Sequence, residues 1–170
     1  MGDVIRSLVY HTFDAYYNDD SQILILGSMP SVKSRELNFY YMHPKNRFWK
    51  VLEAVFNVKI GSTIDEKKEF LKKYKIALWD VIESCEITGS SDASIRNIKY
   101  NDISSIINKT NIKRIYTTGQ KAFELYNKYC YNETKIEATK LFSTSPANCK
   151  ITFDVLVENY KVINKNFKYI

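Results

Sequence analysis

At 170 residues the chain is long enough for one sizeable hydrophobic core and too short for two ordinary domains, so residues 1–170 read as a single domain. Hydrophobic residues make up 45% and charged residues 26%, and no apolar run approaches the ~18 residues of a spanning helix, which excludes disordered and membrane classes. The formal charge of +6 is compatible with a polyanionic partner attracted through its phosphates, without being specific for one.

Asp3 and Arg6 interrupt the N-terminus where a signal peptide needs its apolar stretch, so a cytoplasmic location is expected. Residues 4–10 read as a short helix or an edge strand, and residues 11–20 as a loop ending in the cluster Asn18, Asp19 and Asp20. Ile23, Leu24, Ile25 and Leu26 form the first clear strand, stopped by Gly27. A long loop follows, opening with GSMPS (27–31), carrying Phe39, Tyr40 and Tyr41, and reaching His43-Pro44-Lys45-Asn46 before a helix. Phe48, Trp49, Leu52, Val55 and Phe56 lie at helical spacing and give that helix one buried stripe.

Ser62, Thr63 and Asp65 supply capping groups for a charged helix over 66–74, whose lysine-rich outer side reads as a solvated face. A second strand covers 76–79, and residues 80–100 are expected to be mostly polar loop, with Ser91 and Asp92 as capping groups. Asn101 and Asp102 cap a short helix carrying Ile103, Ile106 and Ile107. A third strand over 112–117 is followed by an amphipathic helix marked by Ala122, Phe123, Leu125, Tyr126 and Tyr129. A fourth strand within 136–142 leads into STSPANCK (143–150), and Phe153, Leu156, Val157, Tyr160 and Ile163 make the last helix.

This alternation predicts an α/β fold, a three-layer α/β/α sandwich around a four-stranded, mainly parallel sheet, because parallel neighbours require right-handed crossovers. The loops after the strands would then share one edge of the sheet, and they are also the compositionally unusual segments of the chain. In the first loop, backbone N–H groups from Gly27 to Ser31 can point at a planar ligand, and Tyr40 or Tyr41 can cover its face. Asn46 adds an amide with both donor and acceptor capacity, although at the start of a helix it could equally be an N-cap. His43 before Pro44 is a structural turn residue or a phosphate contact. Cys85, Cys130 and Cys149 show no CxxC pair, so no disulfide framework, zinc site or iron–sulfur cluster is expected, nor any other cofactor.

GSMPS, FYYMHPKNRFWKVL (39–52), LWDVI (78–82), GSSDASIRN (89–97), TTGQKAFELY (117–126) and FSTSPAN (142–148) resemble the uracil-DNA glycosylase superfamily, in order and on matching elements. Within it they are most similar to the hypoxanthine-DNA (deoxyinosine) glycosylase branch. The resemblance implies a monofunctional, metal-independent enzyme of base excision repair. Such an enzyme flips a deaminated base, hypoxanthine first, from DNA and hydrolyses its N-glycosidic bond.

By position, the resemblance makes Asn46 catalytic. It lines the base pocket with Gly27, Ser28, Met29, Pro30, Tyr41 and Ser143, and brings Ser31, His43, Ser145, Pro146, Ala147 and Asn148 to the DNA. The mismatch-specific uracil/thymine branch has its catalytic Asn where Met29 stands, and the main uracil branch uses an Asp in that region. Ser143 replaces the His or Asn that those branches carry in the second motif. Both departures point away from strong uracil excision. The alternatives are a uracil or broad-specificity glycosylase of the same fold and a non-catalytic nucleotide- or DNA-binding module. A monomer is expected, with DNA containing a deaminated base as its partner.

Overall fold

The computed structural model describes residues 5–88 and 92–167; the front of GSSDAS, including Ser91, lies outside these residues. Of the alternatives for residues 4–10, the chain takes the edge strand, β1 (Ser7–Tyr10). The apolar run forms β2 (Ile23–Gly27), in which every residue is buried. Its alternating side chains face opposite ways, Ile23 and Ile25 into one core cluster and Leu24 and Leu26 into the other. A strand buried on both faces needs apolar residues at every position, which is why this segment is an unbroken run. Each buried aliphatic side chain contributes about 1.5–3 kcal/mol of transfer free energy.

The segment after β2 is not a continuous loop, because it contains α1 (Val32–Leu37), a six-residue helix. Ser31 caps it by accepting the N–H of Ser34 at 3.2 Å. Then come α2 (Phe48–Phe56), α3 (Ile64–Lys73) and β3 (Ile76–Asp80). Thr63 and Glu66 close a reciprocal capping box at the start of α3, an arrangement in which a lost cap costs about 1 kcal/mol.

Residues 80–100 depart most from expectation. β3 passes through Val81 directly into β4 (Ile82–Ile87), and β5 (Arg96–Tyr100) returns alongside it. With β1 they make a separate antiparallel sheet in the order β1-β4-β5. The polar composition that suggested a loop belongs to a half-exposed hairpin, in which antiparallel strands carry polar residues on the solvent side. Asn101 is not a helix cap. Its Nδ2 donates to the carbonyls of Asp80 (2.8 Å) and Ile82 (3.2 Å), which locks the bend between the sheets, and Asp102 caps the next helix instead.

That helix is α4 (Ile103–Lys109), followed by β6 (Arg114–Thr118), α5 (Gln120–Tyr129), α6 (Tyr131–Thr134), β7 (Ala138–Leu141) and α7 (Phe153–Phe167). The main sheet runs β3-β2-β6-β7 with every pairing parallel. Helices α2, α3 and α7 contribute to the cluster on one face, and α4 and α5 to the cluster on the other, giving the three-layer sandwich. From β2 the chain builds first toward β3 and then, on the opposite side, toward β6. The crevice at such a reversal, outside the C-terminal ends of β2 and β6, is where open α/β sheets bind ligands. Among the described residues no helix is long and apolar enough to cross a membrane.

Candidate active site

A cleft of about 860 Å³ occupies this crevice. Its wall includes Gly27 to Ser31 from the end of β2, Tyr41, His43 and Asn46 from the segment before α2, and Ser143 to Asn148 after β7. The fold therefore gathers around one cavity every residue that the sequence assigns to base, DNA or catalysis. It also brings in Asp80, Thr118 and Gly119, which the sequence does not single out.

The floor is set by close approach. Asp80 ends β3 beside Gly27, and a Cβ on Gly27 would collide with its Oδ1. The Gly27 and Ser28 carbonyls accept the N–H groups of Val81 (2.9 Å) and Ile82 (3.0 Å), pinning the GSMPS backbone to the start of β4. Met29 is half-buried against the β2–α5 side of the core, and Pro30 is buried. The thioether of Met29 has no proton to give and accepts only weakly.

Tyr40 is 2% exposed and belongs to the core, where its hydroxyl donates to the Asp14 carbonyl at 3.0 Å. Tyr41 turns the opposite way at φ +54°, a left-handed conformation that costs an aromatic residue roughly 1–2 kcal/mol. Its ring stacks on Phe48 with centroids 3.8 Å apart, and its hydroxyl meets Thr118 Oγ1 at 3.2 Å. These contacts offset the strain and hold the ring as part of the wall. Burial, reinforced by Asp80, pushes the Tyr41 phenol well above its usual range, so it stays protonated.

Asn46 is half-buried at the entrance to α2. Its Oδ1 accepts two hydrogen bonds, from the N–H of Phe48 (2.9 Å) and from the hydroxyl of Thr144 (2.8 Å). The capping alternative is thus partly realised, since the side chain satisfies a first-turn N–H. With both oxygen lone pairs engaged, the amide is left with its Nδ2 hydrogens. The neighbouring Arg47 completes the link between the two motifs. Its N–H donates to the Thr144 carbonyl at 3.2 Å, and its guanidinium donates to the carbonyls of Ile151 (2.6 Å) and Asn148 (3.1 Å).

Several polar residues of the motifs first serve the loops themselves. The Ser145 hydroxyl caps the short turn Pro146–Asn148, Asn148 Nδ2 donates to the Ser143 carbonyl at 3.0 Å, and Ser143 Oγ accepts the Ser145 N–H at 3.2 Å. Gly119, at φ +90°, leaves space for Ser143, whose Cβ would lie 3.2 Å from a side chain placed there. His43 Nδ1 accepts the N–H of Lys45 at 3.1 Å, so in the neutral ring the proton sits on Nε2. Pro146 and Ala147 flank the mouth, with Lys33, Arg35, Lys121 and Lys140 around it.

Asp80, in the cleft lining, belongs to a buried pair that sequence reasoning missed. His11 Nε2 donates to Asp80 Oδ2 at 2.7 Å, with side chains only 3% and 5% exposed. His11 is wedged against Phe13 and Tyr40, with ring centroids 4.5 and 6.0 Å away, and its own N–H is tied to the Glu83 carbonyl. Because the pair joins residues 69 apart, no local pattern announces it. The available signal was the position of Asp80 at the end of the second strand, on the same edge as the motif loops. Among the described residues no cluster of His, Cys, Asp or Glu could hold a metal ion. Cys130 is buried, which pushes its thiol up to about 12 and makes it a poor nucleophile.

Comparison with known proteins follows the same path. The uracil DNA glycosylase superfamily profile matches residues 15–162. A hypoxanthine DNA glycosylase of Methanosarcina barkeri is 33% identical over 140 residues, covering 80% of this chain and 86% of that protein. A Methanosarcina acetivorans protein of the same name is 33% identical over 119 residues, covering 69% and 75%. The solution NMR structure of a Methanosarcina acetivorans protein, provisionally named a uracil DNA glycosylase, superposes with a TM-score of 0.75 at 28% identity, covering 89% of this chain and 96% of that one. With the motifs assembled around one cleft at the sheet's switch point and the family profile spanning nearly the whole chain, the protein belongs to the uracil DNA glycosylase superfamily.

Proposed function

We propose that the protein is a monofunctional DNA glycosylase that removes deaminated bases from DNA, hypoxanthine first, by hydrolysing the N-glycosidic bond. The observation that carries this reading is the amide of Asn46, fixed through Thr144 to the second motif at the wall of a cleft whose first motif carries Met29. The two similar hypoxanthine DNA glycosylases support hypoxanthine over uracil as the first substrate.

Flipping a nucleotide costs a few kcal/mol and least for a mispaired base, so damaged sites are favoured before any chemistry. The cations around the mouth, Lys33, Arg35, Lys121 and Lys140, suit the DNA backbone, as do Ser31, His43 and the loop from Ser145 to Asn148. Within the cleft the base lies along Gly27 to Pro30, with the ring of Tyr41 beside it and Ser143 at its edge. Backbone N–H groups of Ser28 and Met29 take up the negative charge that grows on the leaving base. Preorganised donors of this kind contribute about 3–4 kcal/mol each in other enzymes.

As the C1′–N9 bond breaks, water attacks the oxocarbenium-like sugar, and the proton it releases ends on the departing base. Asn46 has no useful pKa and acts by position. With Oδ1 already a double acceptor, Nδ2–H donates to the attacking water and leaves the other lone pair of that water for C1′. Accepting from the N1–H of the base, the other role open to Asn46, does not suit an oxygen so engaged. The scheme needs no metal or other cofactor, and we read the enzyme as a monomeric, cytoplasmic, single-domain protein.

The test is incubation of the protein with duplexes carrying one inosine, uracil or xanthine, followed by alkaline cleavage of abasic sites. Scission mainly at inosine is expected. Preference for uracil would favour the uracil-directed alternative, and inactivity on every substrate with retained DNA binding would favour a non-catalytic module.

A further inference from the structure

Helix α1 buries only one of its six residues, Ser34, and leaves Val32 and Leu37 exposed, so apolar packing does not explain why the chain makes it. Polar contacts hold it instead. Ser34 Oγ accepts the Met42 N–H at 3.0 Å, and the Thr12 hydroxyl donates to the Arg35 carbonyl at 3.4 Å. The Arg35 guanidinium folds back and donates from one Nη to the Pro30 carbonyl at 2.8 Å. Together these bonds fix one cation on the cleft wall, beside the end of the Gly27–Pro30 backbone that lies away from the sheet.

Arg35 differs in this from the lysines of the mouth. Lys33 Nζ lies 3.7 Å from Glu36, Lys140 Nζ donates to Gln120 Oε1 at 2.8 Å, and Lys121 has no hydrogen-bonded anchor among the described residues. The guanidinium of Arg35 spends one N–H on Pro30 and, among the described residues, meets no carboxylate. A half-buried fork of donors with no counter-ion is matched by the paired oxygens of a phosphate, in a way that a flexible ammonium is not.

We propose that Arg35 is a phosphate-binding residue, whose guanidinium grips the phosphodiester adjoining the extruded nucleotide. Its bond to Pro30 keeps the Gly27–Pro30 backbone in register with that strand. The contact presupposes the glycosylase reading and sharpens it, because it turns a generally basic rim into one anchor of fixed geometry. With a base lying along Gly27 to Pro30, the sugar–phosphate beside it is the group that reaches this end of the wall.

The test is single-turnover cleavage of inosine duplexes in which the phosphate 5′ or 3′ to the inosine is replaced by an uncharged methylphosphonate. On unmodified DNA, Arg35→Gln is expected to lower the apparent second-order rate constant at least roughly tenfold, the loss of a charge-assisted bond to an ion. At one of the two positions the methylphosphonate should slow the wild type by a similar factor. There it should slow Arg35→Gln by less than about twofold, since the contact is already gone. The same replacement far from the inosine should affect both proteins equally. Arg35→Lys, which keeps the charge and loses the fork, should fall between the two.

A wild-type rate constant in Arg35→Gln, or a methylphosphonate penalty equal in both proteins at both positions, overturns the assignment and leaves the glycosylase reading intact. A wild-type protein that cleaves no substrate overturns both. Should Arg35→Gln fail to fold, Arg35→Lys takes its place in the same comparison. A penalty smaller than that of the wild type at one position is then expected, and equal penalties at both overturn the assignment.

Discussion

On one wall of the cleft Asn46 turns its oxygen into the protein, against the Phe48 N–H and the Thr144 hydroxyl, and keeps its donors free. On the other, Asp80 turns one oxygen into the protein, against His11, and keeps an acceptor free. A small cleft acquires direction in this way. Each polar group is half satisfied by the scaffold, so the half left over is fixed in both kind and place. The supports differ too, since the Asn46 wall is fastened to a loop about a hundred residues away and the Asp80 wall to the segment before β2.

Four substitutions test these supports. Arg47→Ala removes the charged donor from the Asn148 and Ile151 carbonyls and should have the largest effect, about 3 kcal/mol of stability. A denaturant melt measures it, and a much smaller loss would mean that the second motif holds its shape without the clamp. Gly27→Ala places a Cβ against Asp80 Oδ1 and should cost about 2 kcal/mol through overpacking, again read by denaturation. Its structural signature would be Asp80 displaced from His11.

Asn46→Asp keeps an oxygen for Phe48 and Thr144 but exchanges the free donors for an acceptor. Inosine excision should fall at least roughly tenfold with little change in melting temperature. A variant as fast as wild type would remove donation from the role of Asn46. Thr144→Val is the mildest, because it frees the Asn46 oxygen without deleting the amide. About fivefold in kcat, the equivalent of one ordinary hydrogen bond, is expected in steady-state assays, with KM little altered.

How much of this was legible in the chain depended on range. β2 announced itself because burial on both faces demands apolar residues throughout, and the parallel sheet followed from strand–helix alternation. α1 was hidden because its apolar residues do not form a buried stripe: Val32 is 50% exposed and Leu37 41%. β5 was hidden because Arg96, Asn97, Lys99 and Tyr100 all face solvent. Around the cleft, the motif loops could be read through their resemblance to a family. Spacing alone could not separate Tyr40 from Tyr41, which a left-handed turn sends in opposite directions. His11 with Asp80, and Arg47 with Asn148, are pairings that only the completed fold creates.

The proposed activity is measured most directly as the single-turnover rate of base release from a duplex with one inosine, read by alkaline cleavage for wild type and for Asn46→Ala. Scission by the wild type is expected, with a rate at least roughly tenfold lower for the folded variant. Equal rates would contradict the role of Asn46, and no scission by the wild type would contradict the proposed activity itself.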